Sequence, residues 1–389
     1  DHEKGVNSTF NFAKKITKDF GLSYDNAINT ENKILSENSA QLNAQIRKVE
    51  DGLFLGFLQD NYQAQVDPFE GYSQYFQILD LPNLNLVGDP NGTWLNPSSF
   101  WQYSFVSEFG RDLDLSINDD NEVFYFTSLS EFFAGPDIYL RKIDMGGNIY
   151  WEAPINLTNE PNYDNFVKKA FNNPEQGSFL VYNQQGLENL GFVLSVDQDA
   201  NIISGFPKRI SDYDSDQFVE DAIKTDQGIF IVWKDNRSED GTDIYGQLFD
   251  YSGNKLSEND IVIAAYPNDQ SNAIITKGND DSALVCWEDY SNGIDYDLYC
   301  NTIDLNTLEV NLSEDDSPLY AIGTGQGDQN NAFAYTALNG DFMLVWEDSR
   351  NNDEENLQIH TDIYYQQISE GNLLYGEVGV PVCESYHIQ

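Results

Sequence analysis

Carboxylates are the side chains with the most chemistry to offer in this sequence. Asp and Glu number 65 against 20 Lys and Arg, a formal net charge of −45 over 389 residues. Three acidic loops precede apolar segments: DYDSDQ (Asp212 to Gln217), PNDQ (Pro267 to Gln270) and GQGDQ (Gly325 to Gln329). If those segments line a common channel, Asp212, Asp214, Asp216, Asp269 and Asp328 converge near its mouth as candidate ligands for Ca²⁺, a hard cation that takes about six to eight oxygens. Acids in that place would equally serve a glycan hydrolase or lyase, which needs two carboxylates at the right separation. With so many acids no pair stands out. Asp197-x-Asp199-x-Asn201 begins like a calcium loop, but Ile202 and Lys208 stand at its sixth and twelfth positions, so it reads as a hairpin turn.

Other chemistry is thinner. His2, His360 and His387 form no metal spacing, and neither a Gly-x-Ser-x-Gly nor a Cys-His arrangement is present. The stretch Asn91 to Gly110 carries Trp94, Phe100, Trp101 and Tyr103. Trp94, Trp101 and Tyr103 are candidates for stacking on sugar rings, the alternative being that they pack against the side of the fold. Three cysteines make no disulfide scaffold. Cys286 and Cys300 nevertheless fall on consecutive strand segments of one repeat, where another repeat carries Val232 and Gly246. They are a disulfide candidate, which would place the chain in an oxidising compartment, against the alternative of two buried thiols.

The elements that must position these residues come from an internal repeat. Gly228 to Ser257, GIFIVWKDNRSEDGTDIYGQLFDYSGNKLS, holds an apolar strand, a polar turn, a second strand and a Gly-Asn hairpin turn. Versions of it return at Ala283 and Phe342. With its Trp as marker, equivalent positions are Leu58, Phe126, Tyr182, Trp233, Trp287 and Trp346, 51 to 68 residues apart. That period fits one four-stranded blade with its loops. The expected fold is all-β, a β-propeller of six four-stranded blades, or seven or eight if the sequence is a piece of a longer chain. Residues 1–40 are expected to contribute an outer strand, because NKILSEN resembles NKLSEND (Asn254 to Asp260). Residues 41–389 form the propeller, with an inserted loop at 90–110. The ending ESYHIQ parallels the inner-strand segment DQSNAII, so the chain stops where another blade would begin.

The repeated Asp after Trp (Asp60, Asp235, Asp289, Asp348) is expected to accept backbone N–H groups of its turn, with Arg237 and Arg350 pairing between blades. The Asp that opens the following strand (Asp137, Asp243, Asp297, Asp362) reads the same way. Trp-[Glu/Lys]-Asp-x-Arg, then Asp-Ile-Tyr and a Gly-Asn turn, resembles the repeat of secreted bacterial β-propellers found in large surface proteins. The second unit, NEVFYFTSLSE to APINLT, is similar to the WD-like repeat of the periplasmic Tol-system propeller. The resemblance covers roughly residues 40 to 389 and is clear in units two, four, five and six. It implies a propeller of six to eight blades outside the cytoplasm that binds or scaffolds, and it carries over no catalytic residue.

Composition bounds the function. Hydrophobics at 40 % and aromatics at 14 % suffice for a core. The net charge repels nucleic acid and anionic membrane and favours cationic partners. No apolar run approaches the roughly 18 residues that cross a bilayer, and the start lacks the apolar region of a signal peptide, so any such peptide has been removed. The expectation is a secreted or cell-surface, non-catalytic binding or scaffold module for a protein or glycan partner. Its rivals are a propeller glycan hydrolase or lyase, and a subunit of an outer-membrane or secretion assembly.

Overall fold

A computed structural model of the protein describes residues 41–49, 52–60, 72–80, 86–87, 93–95, 112–130, 135–160, 162–238, 240–351 and 361–383. The fold is all-β, with no α-helix among the described residues, and the strands form six antiparallel sheets whose consecutive strands pair. The fourth sheet is the pattern: Gln217–Lys224, Ile229–Asp235, Asp243–Phe249 and Ile261–Ala264, in that order. Its second strand, IFIVWKD, is β-branched and aromatic and buries both faces, which a sheet packed between neighbours demands. The hairpin after its third strand closes locally, because the Asp250 Oδ1 atom accepts the Asn254 N–H at 2.7 Å and Gly253 supplies φ +73°. Asp197 and Asn201 make the same turn, so the segment that begins like a calcium loop is indeed a hairpin.

The second strand carries the repeat marker in every sheet, and Trp233, Trp287, Trp346, Tyr182 and Phe126 are all buried there. Three of the sheets have four strands and three carry a fifth paired to their third strand; such sheets are the blades of a β-propeller.

The described chain divides into two compact units, one running to Leu180 and adding Val196–Ser204, the other Val181–Ser195 with the chain from Gly205 onward. In the first unit, Phe54, Phe76, Leu115 and Tyr125 pack the first two sheets together. Arg47 of the first sheet pairs with the buried Asp114 of the second, whose Oδ2 accepts the Ala170 N–H of the third at 2.8 Å. In the second unit, Phe230, Val232, Trp287 and Ile303 join the fourth sheet to the fifth (Gln270–Lys277, Ser282–Asp289, Asp297–Asp304 and Val310–Asn311, with Tyr320–Gly323 also on the third strand). Leu284, Leu344 and Trp346 join the fifth to the sixth (Gln329–Thr336, Phe342–Asp348, Asp362–Ser369 and Asn372–Leu373).

Residues 1–40, expected to contribute an outer strand, lie outside the described residues. Of the expected insertion at 90–110, Thr93 and Trp94 form a short strand on the first sheet, with Trp94 opposite Tyr75.

Candidate functional site

Antiparallel pairing brings three chain segments to one end of each sheet in the second unit. They are the start of the innermost strand, the end of the second and the start of the third. In register across the sheet this places Gln217, Asp235 and Asp243 in one row of the fourth sheet. The fifth sheet repeats it with Gln270, Asp289 and Asp297, and the sixth with Gln329, Asp348 and Asp362.

The glutamines, which the sequence reading passed over, are fully buried. Each backbone N–H donates at 2.7 Å to a carbonyl in a loop of the preceding sheet: Gln217 to Asn189, Gln270 to Thr242 and Gln329 to Tyr296. The Asp before each glutamine completes the grip. Asp216 accepts the Asn189 N–H at 2.8 Å, Asp269 the Thr242 N–H at 3.0 Å and Asp328 the Tyr296 N–H at 3.1 Å. Both polar groups of one peptide residue are thus held from the next sheet. The glutamine side chains fold back on their own loops, Gln270 taking the Tyr266 N–H and Gln329 the Gly325 N–H. The Asp-Gln dipeptide in all three acidic loops was the signal for this clamp.

The clamp answers where the candidate calcium ligands sit. Asp216, Asp269 and Asp328 each serve a different sheet junction, and Asp212 pairs with Lys255 at 2.8 Å. No three metal-ligating side chains converge among the described residues. Of the candidate sugar-stacking residues, Trp101 and Tyr103 lie outside the described residues, and Trp94 is placed by its main chain alone. The histidines also lie outside them. Cys286 and Cys300 are joined in a disulfide across opposed positions of the fifth sheet's second and third strands.

The Asp after each Trp organises its turn. Trp233, Trp287 and Trp346 donate their indole N–H to Asp235, Asp289 and Asp348 at 3.2, 2.9 and 2.9 Å. The backbone N–H two residues on donates to the other oxygen, from Arg237, Ser291 and Arg350. In the fourth sheet the Arg237 guanidinium pairs with Asp235 at 2.5 Å and Asp260 at 2.9 Å, and lies 3.9 Å from the ring centres of both Tyr213 and Tyr245. In the sixth, Arg350 pairs with Asp348 at 2.5 Å and lies 4.1 Å over Tyr364. The expectation that these arginines pair between blades is corrected for their ion pairs, which stay within the sheet because a two-residue offset brings the guanidinium back over the strand end; Arg237 reaches beyond it only to the Ser211 hydroxyl and the Tyr213 ring.

The fifth sheet has Ser291 where the others have Arg, and its electrostatics differ accordingly. Burial opposes ionisation of Asp235, but hydrogen bonds from Arg237 and Ser215 and the Arg237 charge outweigh it and hold the carboxyl below its usual range. Asp289 has no such cation, and burial pushes it up despite its bonds to Trp287 and Ser291. Asp297 is pushed up to about 6, by burial first and then by Asp295, with Asn292 working the other way.

No protein-family model matches this chain, and no curated protein sequence matches it. Solved structures do resemble it. A TolB-type protein from Agrobacterium tumefaciens is 16 % identical over 72 % of this chain and 83 % of its own, with a TM-score of 0.39. A Dyadobacter fermentans protein of unknown function is 11 % identical over 80 % and 92 %, TM-score 0.42. The Penicillium chrysogenum α-L-arabinanase is 10 % identical over 62 % and 78 %, TM-score 0.39. At such identities no residue role passes to this chain.

Proposed function

We propose that this chain is a binding and scaffold module working outside the cytoplasm, which engages a protein or glycan partner without turning it over. The observation that supports it is the row of clamps: Asp216, Asp269 and Asp328 are spent on holding backbone between sheets. The Asp side chains at that end outnumber Arg237 and Arg350, a charge around a fixed framework that suits a basic partner. The Cys286–Cys300 disulfide fits an oxidising compartment. No helix of the described residues is long and apolar enough to cross a membrane.

One observation favours the hydrolase or lyase alternative. Asp297, pushed up to about 6, stands opposite Asp289, and two acids of unequal environment are what an acid and a base require. A reducing-end assay on a panel of polysaccharides separates the readings. The binding module releases no more sugar than its Asp297→Asn variant, whereas turnover that is lost in Asp297→Asn, Asp216→Asn, Asp269→Asn or Asp328→Asn would overturn it. Melts with calcium and with a chelator, beside a glycan array, test the ion and the ligand class: a calcium-dependent rise of several degrees would mark preferential ion binding by the folded state. Co-purification from native membranes tests membership of a larger assembly.

A further inference from the structure

The fourth and sixth sheets each hold a guanidinium on the Asp after Trp and on the Tyr opposite that Trp, and the fifth sheet keeps these two groups without supplying the cation. Asp289 corresponds to Asp235 and Asp348, and Tyr299, opposite Trp287, corresponds to Tyr245 and Tyr364. Ser291 stands in place of Arg237 and Arg350. No Lys or Arg of the described residues pairs with Asp289 or Asp297, and the Asp289 Oδ2 atom, which in its counterparts takes both the indole and the arginine, takes the indole alone.

Exposure follows the missing side chain at the outer residues only: Asp289 stays 2 % exposed, its Oδ1 atom taking the Ser291 backbone N–H and hydroxyl. Tyr245 and Tyr364 are 9 % and 5 % exposed beneath their arginines, and Asp243 and Asp362 are 4 % and 3 % exposed, while Tyr299 and Asp297 are only half-buried. Tyr266, the counterpart of Tyr213, leans onto Trp287 with ring centres 6.3 Å apart. The indole is thereby covered, and Tyr299 is left without a ring partner among the described residues. The Tyr299 phenol is pushed up to about 12, by burial first and then by Asp297, Asp289 and Glu377, so three carboxylates bear on one half-open aromatic ring.

We propose that this place on the fifth sheet receives an arginine side chain from a protein partner, its guanidinium stacking on Tyr299 and pairing with Asp297 above the buried Asp289. The proposal rests on the binding-module reading and names the chemistry of the partner's contact. A guanidinium is the cation of choice because it is planar, weakly hydrated and stacks on aromatic faces, as Arg237 does between two tyrosines. A small hydrated dication would leave the Tyr299 face unused.

The test is calorimetric titration of the full chain with N-acetyl-arginine amide, with the lysine analogue and with calcium chloride. Saturable binding of the arginine compound is expected, weakened about tenfold in Asp297→Asn through loss of a charge-assisted pair and abolished in Ser291→Arg, whose own guanidinium fills the place. Ser291→Arg is also expected to melt no lower than the parent, which establishes that it folds. Should it not fold, Asp297→Asn, altered at a half-exposed position, decides alone. A flat arginine titration would overturn the proposal, as would binding unchanged in Asp297→Asn, or calcium binding in place of arginine. Sugar turnover would overturn the binding-module reading while leaving these titrations as they are, so the two failures are distinguishable.

Discussion

At the scale of single residues, the second unit spends most of its buried polarity on geometry. Gln270 is fully buried and bonds through both its backbone and its side-chain amide, to Thr242, Tyr266 and Pro267. Gln270→Ala keeps the backbone bond to Thr242 but leaves the Tyr266 N–H and the Pro267 carbonyl without their side-chain partner, and about 2 to 3 kcal/mol of stability should be lost, read as a lower urea midpoint at unchanged slope. Asp297 carries the clearest pH signature. Its pKa in the folded chain, about 6, exceeds the ordinary 3.8, so the folded chain holds the proton more tightly than the unfolded one. Stability therefore declines as pH rises between about 4 and about 6 and is level above that window. Asp297→Asn removes the penalty. Urea midpoints should be higher than the parent's at about pH 8 and equal to it at about pH 4. Asp235 has the opposite sign: its lowered pKa stabilises the fold at neutral pH, and that contribution is lost as the medium becomes acidic.

At the scale of elements, a sheet needs its turns and its register. Gly228 enters the second strand of the fourth sheet at φ +151°, and a Cβ there would lie 1.9 Å from the Phe249 carbonyl oxygen. Backbone cannot yield as a side chain does, so Gly228→Ala should cost about 2 to 4 kcal/mol, measurable by the same urea titration. The fifth sheet is pinned covalently instead. Cys286 and Cys300 are 14 residues apart, and a loop of that size constrains the unfolded chain by about 3 kcal/mol. Reduction, or Cys286→Ser with Cys300→Ser, should lower the melting temperature by several degrees while leaving the far-ultraviolet circular dichroism in place.

At the scale of the whole molecule, charge dominates. A formal −45 on 389 residues, with few cations to pair, makes the compact state repel itself. Raising sodium chloride from about 0.02 M to about 0.5 M shortens the screening length several-fold, so the melting temperature should rise. A fall would mean that ion pairs such as Arg237 with Asp260 outweigh the repulsion.

The sequence by itself determined the fold class and the identity of the strands. Marker residues such as Trp233 and Trp287, apolar runs such as FIVW and turn pairs such as Gly253-Asn254 act within a few residues of one another, and local spacing dictates how a hairpin pairs. What only the tertiary structure decided is where the carboxylates point. Asp216 meets Asn189 and Asp269 meets Thr242 across a sheet junction, partners 27 residues away in the chain that no local period announces. The same holds for Tyr213, which closes on Arg237 from outside its hairpin. Sequence spacing sets which residues share a sheet, whereas contact between a side chain and the next sheet depends on how the sheets stack, and that is a property of the folded chain alone.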